Sequence, residues 1–143
     1  MIILDTNVVS ELLRPSPSEQ VMSWIASQPL ESLYTTSITQ AEMLYGARIL
    51  PEGNRRSQLE SAIAAIFAED LAGRVLPFDG NAARVFAEIA AQRKLSGRPV
   101  SQADVQIAAI TKLAKARLAT RNIPDFEGVG ISLVNPWSDR VET

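Results

Sequence analysis

Ile2-Ile3-Leu4-Asp5-Thr6-Asn7 is the stretch of sequence that decides the fold. Three consecutive apolar residues predict a short buried strand, and the residues from Asp5 to Asn7 are of the types that end strands and cap helices. We therefore expect a helix through Val8 to Leu13. In an open parallel sheet, ligands gather outside the carboxyl ends of the strands. Asp5 ends the first strand, which makes it the first candidate for a functional residue.

Strands and helices alternate along the rest of the chain. Short apolar runs predict strands at residues 33–36, 75–76, 117–120 and 132–134. Capping residues predict helices that begin near Ser18, Ser37, Asp79 and Ser101, and apolar residues at helical spacing cover 59–67. This alternation is typical of an α/β fold in which a parallel sheet is flanked by helices.

The length and composition are those of one domain. A chain of 143 residues with 46% apolar content can build one core, and it is too short for two domains of ordinary size. Charged residues make up 21% of the chain without a block of one sign, so neither disorder nor a linker is indicated. We expect a single domain over residues 1–143.

The chain contains neither cysteine nor histidine. The lack of cysteine excludes a disulfide framework, a thiolate zinc site and a cysteine nucleophile. The lack of histidine excludes a Ser-His-Asp triad and nearly every catalytic zinc site. Catalysis would have to rely on carboxylates, hydroxyls, amides and cations, and carboxylates are the natural ligands of magnesium and manganese.

The charge and the first residues limit the cellular setting. A net charge of −2 argues against a general nucleic-acid coat, because binding of that kind depends on basic charge. An enzyme that touches a few phosphates remains allowed. The start of the chain lacks the features of a signal peptide, and no apolar segment approaches membrane-spanning length. We expect a cytoplasmic protein that does not contact a membrane.

Three acids are candidates for a site, and each has a plain structural alternative. Asp5 could only cap the helix that follows it. Asp104 lies in the first turn of a predicted helix, where an acid also completes a capping box with Ser101. Glu42 lies in the second turn of the helix from Ser37, where a solvated surface acid is common.

Two further candidates follow the strand predicted at residues 117–120. Asn122 and Asp125 could lie at the same carboxyl edge as Asp5, although both types are also common in turns. These candidate residues taken together are stronger evidence for a functional site than any one of them alone. Acids at helix starts and strand ends that share one edge of the sheet form a negative pocket, and such a pocket requires a cation.

Four segments of the sequence resemble the motifs of PIN-domain ribonucleases of the VapC toxin type. They fall in that family's order, and they are residues 3–12 (ILDTNVVSEL), 37–46 (SITQAEMLYG), 103–109 (ADVQIAA) and 119–126 (ATRNIPDF). The resemblance implies a three-layer PIN-like fold with a central parallel sheet of four to five strands. It also implies a homodimer that cleaves RNA with Mg²⁺ or Mn²⁺, as the toxin of a type II toxin-antitoxin system.

The resemblance further implies residue roles and a partner. Asp5, Glu42 and Asp104 correspond to the three metal-binding acids of the family's site. Asn122 departs from the pattern, since many relatives have a fourth acid there, and this puts a second metal site in doubt. Asp125 could compensate. The implied partner is an antitoxin protein whose C-terminal segment covers the site, and operator DNA would be reached only through that antitoxin.

These roles suggest hydrolysis of a phosphodiester by in-line attack, in which Asp5 and Asp104 bind the principal ion and Glu42 acts through water. Asn122 and Asp125 would adjust the surroundings of that ion. Clustered acids should also hold protons above their usual pKa when no ion is bound. Basic residues near the site elements are candidates for phosphate contacts, namely Arg14, Arg48, Arg93, Lys94, Arg98 and Arg121.

Two other functions stay open from the sequence. The first is a PIN-fold binding module with an impaired catalytic site, for which Asn122 is the motive. The second is a phosphatase of the haloacid-dehalogenase type, which also presents an aspartate after an N-terminal strand. Asn7 argues against the phosphatase, because that chemistry wants a second acid two residues after the nucleophile.

Overall fold

The computed structural model describes residues 1–138 and the backbone of 140–142. The strands are β1 (Ile2–Leu4), β2 (Leu33–Thr36), β3 (Val75–Leu76), β4 (Arg117–Ala119), β5 (Ser132–Asn135) and β6 (Arg140–Glu142). The helices are α1 (Thr6–Leu12), α2 (Glu19–Ala26), α3 (Ser37–Arg48), α4 (Asn54–Ala65), α5 (Gly80–Leu95), α6 (Gln102–Ala114) and α7 (Ile123–Phe126). A 3₁₀ turn at Leu30–Ser32 precedes β2, and a π turn at Ile66–Asp70 extends α4.

The sheet has the order β3-β2-β1-β4-β5-β6. The first five of these strands are parallel, and β6 pairs antiparallel with β5. The predicted fold class, with four to five parallel strands flanked by helices, is therefore confirmed. Strand β6 was not predicted. The order reverses between β1 and β4, and this switch point is where open α/β sheets bind ligands.

The sheet separates two apolar clusters. Side chains alternate across a strand, so Ile3 of β1 packs with residues of α5 and α6, whereas Ile2 and Leu4 pack with residues of α1 to α4. These two clusters make the three layers of the fold. Helix α6 is buried along most of its length, with Ile107 and Ala109 wholly inaccessible, as its apolar sequence predicts.

The helices predicted from capping residues begin within two residues of the expected position, with one wrong cap, whereas α4 begins at Asn54, five residues before the apolar pattern at 59–67. Helix α3 begins at Ser37, but its cap is Thr36, whose hydroxyl accepts from the amide of Thr39 at 3.1 Å. The Ser37 hydroxyl instead accepts from the amide of Phe78 at 3.3 Å. Ser101 caps α6 as predicted, at 3.1 Å from the amide of Asp104. Of the helices in the described residues, none combines the length and the apolar character needed to cross a membrane.

Candidate active site

Asp5 lies buried at the carboxyl end of the central strand β1. The residue is 3% exposed. Its Oδ1 accepts from the amide of Thr6 at 2.8 Å, and its Oδ2 accepts from the hydroxyl of Thr120 at 2.7 Å. Asp5 therefore caps α1 and also faces the loop after β4, so the two interpretations of this residue are compatible.

The surroundings of Asp5 disfavour its charge. Burial, as the largest cause, raises the pKa of Asp5 to about 6, although the hydrogen bonds from Thr120 and Thr6 act in the opposite direction. The charges of Asp104 and Glu42 raise the pKa further. The predicted rise in pKa is therefore present, but burial contributes more to it than repulsion between carboxylates.

Thr120 and Asn7 connect Asp5 to the loop after β4. The Thr120 hydroxyl also accepts from the amide of Asn122 at 3.0 Å, and the Asn7 side-chain amide lies 3.4 Å from Oδ2 of Asp5. The side-chain oxygen of Asn7 accepts from the amide of Arg121 at 3.3 Å. Sequence reasoning did not single out Thr120 or Thr6, although both stand beside element ends that were assigned to the site.

Glu42 projects from the second turn of α3 toward the start of α1. Its Oε1 accepts from the hydroxyl of Thr6 at 2.7 Å, and that hydroxyl lies 3.0 Å from the hydroxyl of Thr39. Thr39 is fully buried, whereas Glu42 is exposed. The hydroxyl of Thr6 therefore holds an otherwise mobile carboxylate beside Asp5.

Asp104 enters the site from the first turn of α6 and is half-buried. Burial is the largest cause that raises the pKa of its carboxyl, with a hydrogen bond to Ser101 acting against it and the charges of Asp125 and Glu42 adding to the rise. Asp5, Glu42 and Asp104 thus lie close enough for each to affect another. We call these three residues the acidic cluster.

The acidic cluster is not a closed ligand shell in the structure. Among the described residues, no three carboxylates are already arranged to hold a metal ion. Asp5 is fixed by its hydrogen bonds, whereas Glu42 and Asp104 are more accessible. Rotation of the Glu42 and Asp104 side chains toward Asp5 would be needed for all three to share one ion.

Asn122 and Asp125 lie at the outer edge of the site, and both are exposed. Asn122 precedes α7, and the amide of Asp125 donates to its carbonyl at 3.1 Å. The charge of Asp125 reaches Asp104, as the raised pKa shows. The structure thus brings Asp125 near the acidic cluster, and it places Asn122 one hydrogen bond from Thr120.

Arg93 was predicted as a candidate for phosphate contact, and this is wrong because the residue is only 6% exposed. Its guanidinium donates to the carbonyl of Asp125 at 3.3 Å and to the carbonyl of Glu127. Arg93 of α5 therefore fixes the loop that carries Asp125. A long basic side chain near the end of a helix gives no sequence signal that it turns inward.

A groove runs from the acidic cluster between α1, α3 and α4. It measures about 650 Å³, and its lining includes Thr6 and Glu42. Apolar side chains form most of its lining, among them Leu13, Met43, Leu59 and Ile63, and two arginines stand along it, Arg14 and Arg55. The groove therefore shares Glu42 with the acidic cluster.

The sequence profile of the PIN domain matches residues 2–129, which include every candidate site residue. The chain belongs to the PIN domain family. Among curated relatives of this PIN domain is the VapC ribonuclease Y4jK of Sinorhizobium fredii, 42% identical over 137 residues that cover 96% of this chain and 98% of the relative. Another is the toxin FitB of Neisseria gonorrhoeae, 39% identical over 139 residues that cover 97% and 100%.

Solved structures show the same PIN fold. The FitAcB crystal structure from Neisseria gonorrhoeae superposes with a TM-score of 0.90 at 38% identity, covering 96% of this chain and 99% of that one. A structure of FitAB bound to an IR36 DNA fragment gives a TM-score of 0.89 at 39% identity, covering 96% of each chain. Both the expected family and the expected fold are confirmed.

Proposed function

We propose that the protein is a Mg²⁺-dependent endoribonuclease and the toxin of a toxin-antitoxin pair. The observation that carries this proposal is the meeting of Asp5, Glu42 and Asp104, which come from three separate elements, at the switch point of the sheet. Relatives named as VapC ribonucleases, at 42% and 30% identity, support the reaction type.

The donor set fits a hard divalent cation. All three members of the acidic cluster are carboxylates, and the neighbouring Thr6 and Thr120 contribute hydroxyl oxygens. Burial is the largest cause that raises the pKa of Asp5 and of Asp104, and the charges of neighbouring acids add to it, so a bound cation would favour the ionised form of both. Asp5 and Asp104 would bind Mg²⁺ directly, with Glu42 completing the site.

The chain's own groups would position the reactants. Thr120 and the amide of Thr6 hold both oxygens of Asp5 in one orientation, and Thr6 holds Glu42 from the side. Glu42, which is exposed, would orient the attacking water. A bound Mg²⁺ polarises the phosphoryl oxygen, lowers the pKa of water and stabilises the leaving oxygen. Asn122 and Asp125 would adjust the outer edge of this site.

The phosphatase alternative fits the structure less well. That chemistry wants a second acid two residues after the nucleophile, and this position is Asn7. Asn7 is also engaged, since it contacts Asp5 and Arg121. The other alternative, a PIN-fold binding module without catalytic activity, is distinguished from a nuclease by the cleavage assay below.

Incubation of the purified protein with a mixed pool of tRNA, rRNA and mRNA tests the proposal. We expect new RNA ends with Mg²⁺ and none with EDTA, and the D5N variant should be inactive while its circular dichroism spectrum is unchanged. Equal cleavage by D5N would remove Asp5 from the mechanism. Mn²⁺ binding without any cleavage by the parent protein would favour the binding module.

The groove supports a protein partner. Its apolar lining suits the apolar face of a peptide, and the carboxylate of Glu42 in that lining suits a basic side chain. We expect a cognate antitoxin to fill the groove and cover the acidic cluster. Purification of the native protein from its source without a small, tightly bound partner would argue against an antitoxin in the groove. Operator DNA would be reached through the antitoxin, as the chain's own net charge is −2.

We also expect a homodimer that acts in the cytoplasm, where RNA is available. Exposed apolar side chains on α3 and at its C-cap support an interface, since Leu44, Tyr45 and Ile49 are 44%, 67% and 64% exposed. Light scattering that gives the mass of one chain at micromolar concentration would contradict the dimer.

A further inference from the structure

A second polar feature lies beside the acidic cluster. The guanidinium carbon of Arg121 stands 5.0 Å from the centroid of the Trp137 ring, in a cation–π contact. Trp137 packs against the apolar cluster below the sheet, and its amide donates to the side chain of Asn135 at 2.9 Å. The anchored ring therefore holds the exposed Arg121 guanidinium over its face.

Arg14 is held in the same region by a different group. Glu11 is only 4% exposed, and its carboxylate accepts from the amide of Ser18 at 2.8 Å and from Arg14 at 3.3 Å. The hydrogen bond from Ser18, followed by the contacts with Arg14 and the charge of Arg121, lowers the pKa of Glu11. Arg14 and Arg121 thus both lie near one buried carboxylate, so two cations face a single anion at this point.

Both arginines border the proposed reaction site. The amide of Arg121 donates to Asn7 at 3.3 Å, and Asn7 in turn contacts Asp5. Arg14 lines the same groove as Thr6 and Glu42. Among the side chains that the structure describes, the Arg121 guanidinium has no ion pair closer than 4 Å, and that of Arg14 is 63% exposed.

The chemistry of this region matches a phosphate. A guanidinium stacked on an aromatic ring keeps its N–H edge free for bidentate contact with a phosphate. A carboxylate that anchors Arg14 from below leaves the outward N–H groups of that side chain available. The acidic cluster itself repels RNA, so a strand needs positive charge on either side of the position where it is cut.

We propose that Arg121, stacked on Trp137, and Arg14, anchored by Glu11, bind the backbone phosphates of an RNA strand next to the bond that the acidic cluster cleaves. This subsite rests on the proposed ribonuclease function. In this proposal, Arg121 and Arg14, which lie outside the acidic cluster, orient the RNA strand. Phosphate contacts of this kind fix the position of the strand without reading its sequence.

The test measures binding of a 5′-labelled single-stranded RNA of mixed sequence by fluorescence anisotropy over a series of KCl concentrations. All variants carry D104N and are assayed with EDTA, so that the probe stays intact. R121Q and R14Q are compared with K115Q, which removes one charge from the exposed residue before β4, at the opposite edge of the sheet.

We expect R121Q and R14Q each to weaken binding by about tenfold at low salt. Each should also reduce the slope of log affinity against log salt by about 0.7, the value for one phosphate on a single strand. K115Q should leave the slope unchanged. R121K should keep the slope but bind several times more weakly, because lysine cannot stack flat on Trp137.

An unchanged slope of log affinity against log salt in R121Q would overturn the subsite. This holds even if the midpoint of thermal unfolding falls, because a cation–π contact with a purely structural role changes stability and not RNA binding. A loss of antitoxin binding without any change toward RNA would overturn it as well, because the arginines would then serve the protein partner. R121K affinity equal to that of the parent would remove the stacking from the subsite.

Cleavage of the RNA pool by the parent protein is scored separately. If the parent protein cleaves RNA but R121Q and R14Q show unchanged salt slopes, the phosphate subsite is refuted and the ribonuclease function is not. If the salt slopes of R121Q and R14Q fall but the parent protein does not cleave RNA, the ribonuclease function is refuted and the contact of the two arginines with RNA is not.

Discussion

The hydroxyl of Thr120 donates a 2.7 Å hydrogen bond to Oδ2 of Asp5, across 115 positions of the sequence. The bond exists because β1 and β4 are neighbours in the sheet, so that their carboxyl ends meet. It places a neutral donor where repulsion from Glu42 and Asp104 acts on Asp5. The ionised form of Asp5, which a metal requires, is favoured by this donor.

Replacing Thr120 by valine should weaken metal binding. T120V keeps the shape of the side chain and removes the donor, which raises the pKa of Asp5 further. We expect the dissociation constant for Mn²⁺ at pH 7, measured by calorimetry, to rise about tenfold, the effect of one hydrogen bond to a charged group. T120S, which keeps the hydroxyl, should bind as the parent does. Equal affinity of T120V and T120S would show that the donor is dispensable.

The metal-free protein should lose stability as the pH rises. A raised pKa in the folded state means that Asp5 keeps its proton longer when folded, so the free energy of unfolding falls as pH rises from 3.8 through about 6. Between pH 5 and pH 8 with EDTA, we expect a loss of about 1 to 2 kcal/mol relative to D5N, measured by urea denaturation. A parent and D5N that respond identically to pH would contradict the burial of an ionisable Asp5.

Thr6 should matter through Glu42. T6V removes the hydroxyl that holds Oε1 of Glu42 at 2.7 Å, and the freed carboxylate then samples other rotamers. We expect RNA cleavage to slow by roughly three- to tenfold, with the larger effect at limiting Mg²⁺, because the hydrogen bond contributes about 1 kcal/mol. T6S is the matched control and should restore the rate. A T6V enzyme with the parent rate at every Mg²⁺ concentration would exclude this role.

Arg93 should matter for stability. R93M keeps an unbranched apolar stem in place of the buried part of the side chain but leaves the carbonyls of Asp125 and Glu127 without their donor. We expect the free energy of unfolding to fall by about 2 kcal/mol in urea denaturation. The neighbouring exposed Lys94 gives the control, K94M, which should change it by less than about 0.5 kcal/mol. Similar effects in both variants would show that the clamp on the Asp125 loop contributes little.

Local patterns in the sequence located most of the fold. The run from Ile2 to Leu4 is a buried strand, and Ser101 caps α6, because apolar runs and hydroxyl caps act over a few residues. The cap of α3 was misplaced by one residue, since Thr36 and Ser37 are both suitable. Strand β6 was missed because its pairing with β5 is a tertiary contact.

The acids of the site were found from their positions at element ends, but their partners were not. Thr120 and Arg93 act through hydrogen bonds to residues distant in the chain, and these depend on strand order and helix packing. The resemblance to a family supplied what alternation of strands and helices cannot, namely that Glu42 and Asp104 approach Asp5. The catalytic roles of these residues stay predictions.

Crystals of the parent protein soaked in MnCl₂ test the central claim most directly, through the anomalous difference map measured near the manganese absorption edge. We expect a peak within bonding distance of the carboxylates of Asp5 and Asp104, with Glu42 turned toward it, and no peak in D5N crystals treated in the same way. No peak beside Asp5 in fully soaked parent crystals, or a peak that persists at that position in D5N, would contradict the claim that the acidic cluster binds a divalent ion.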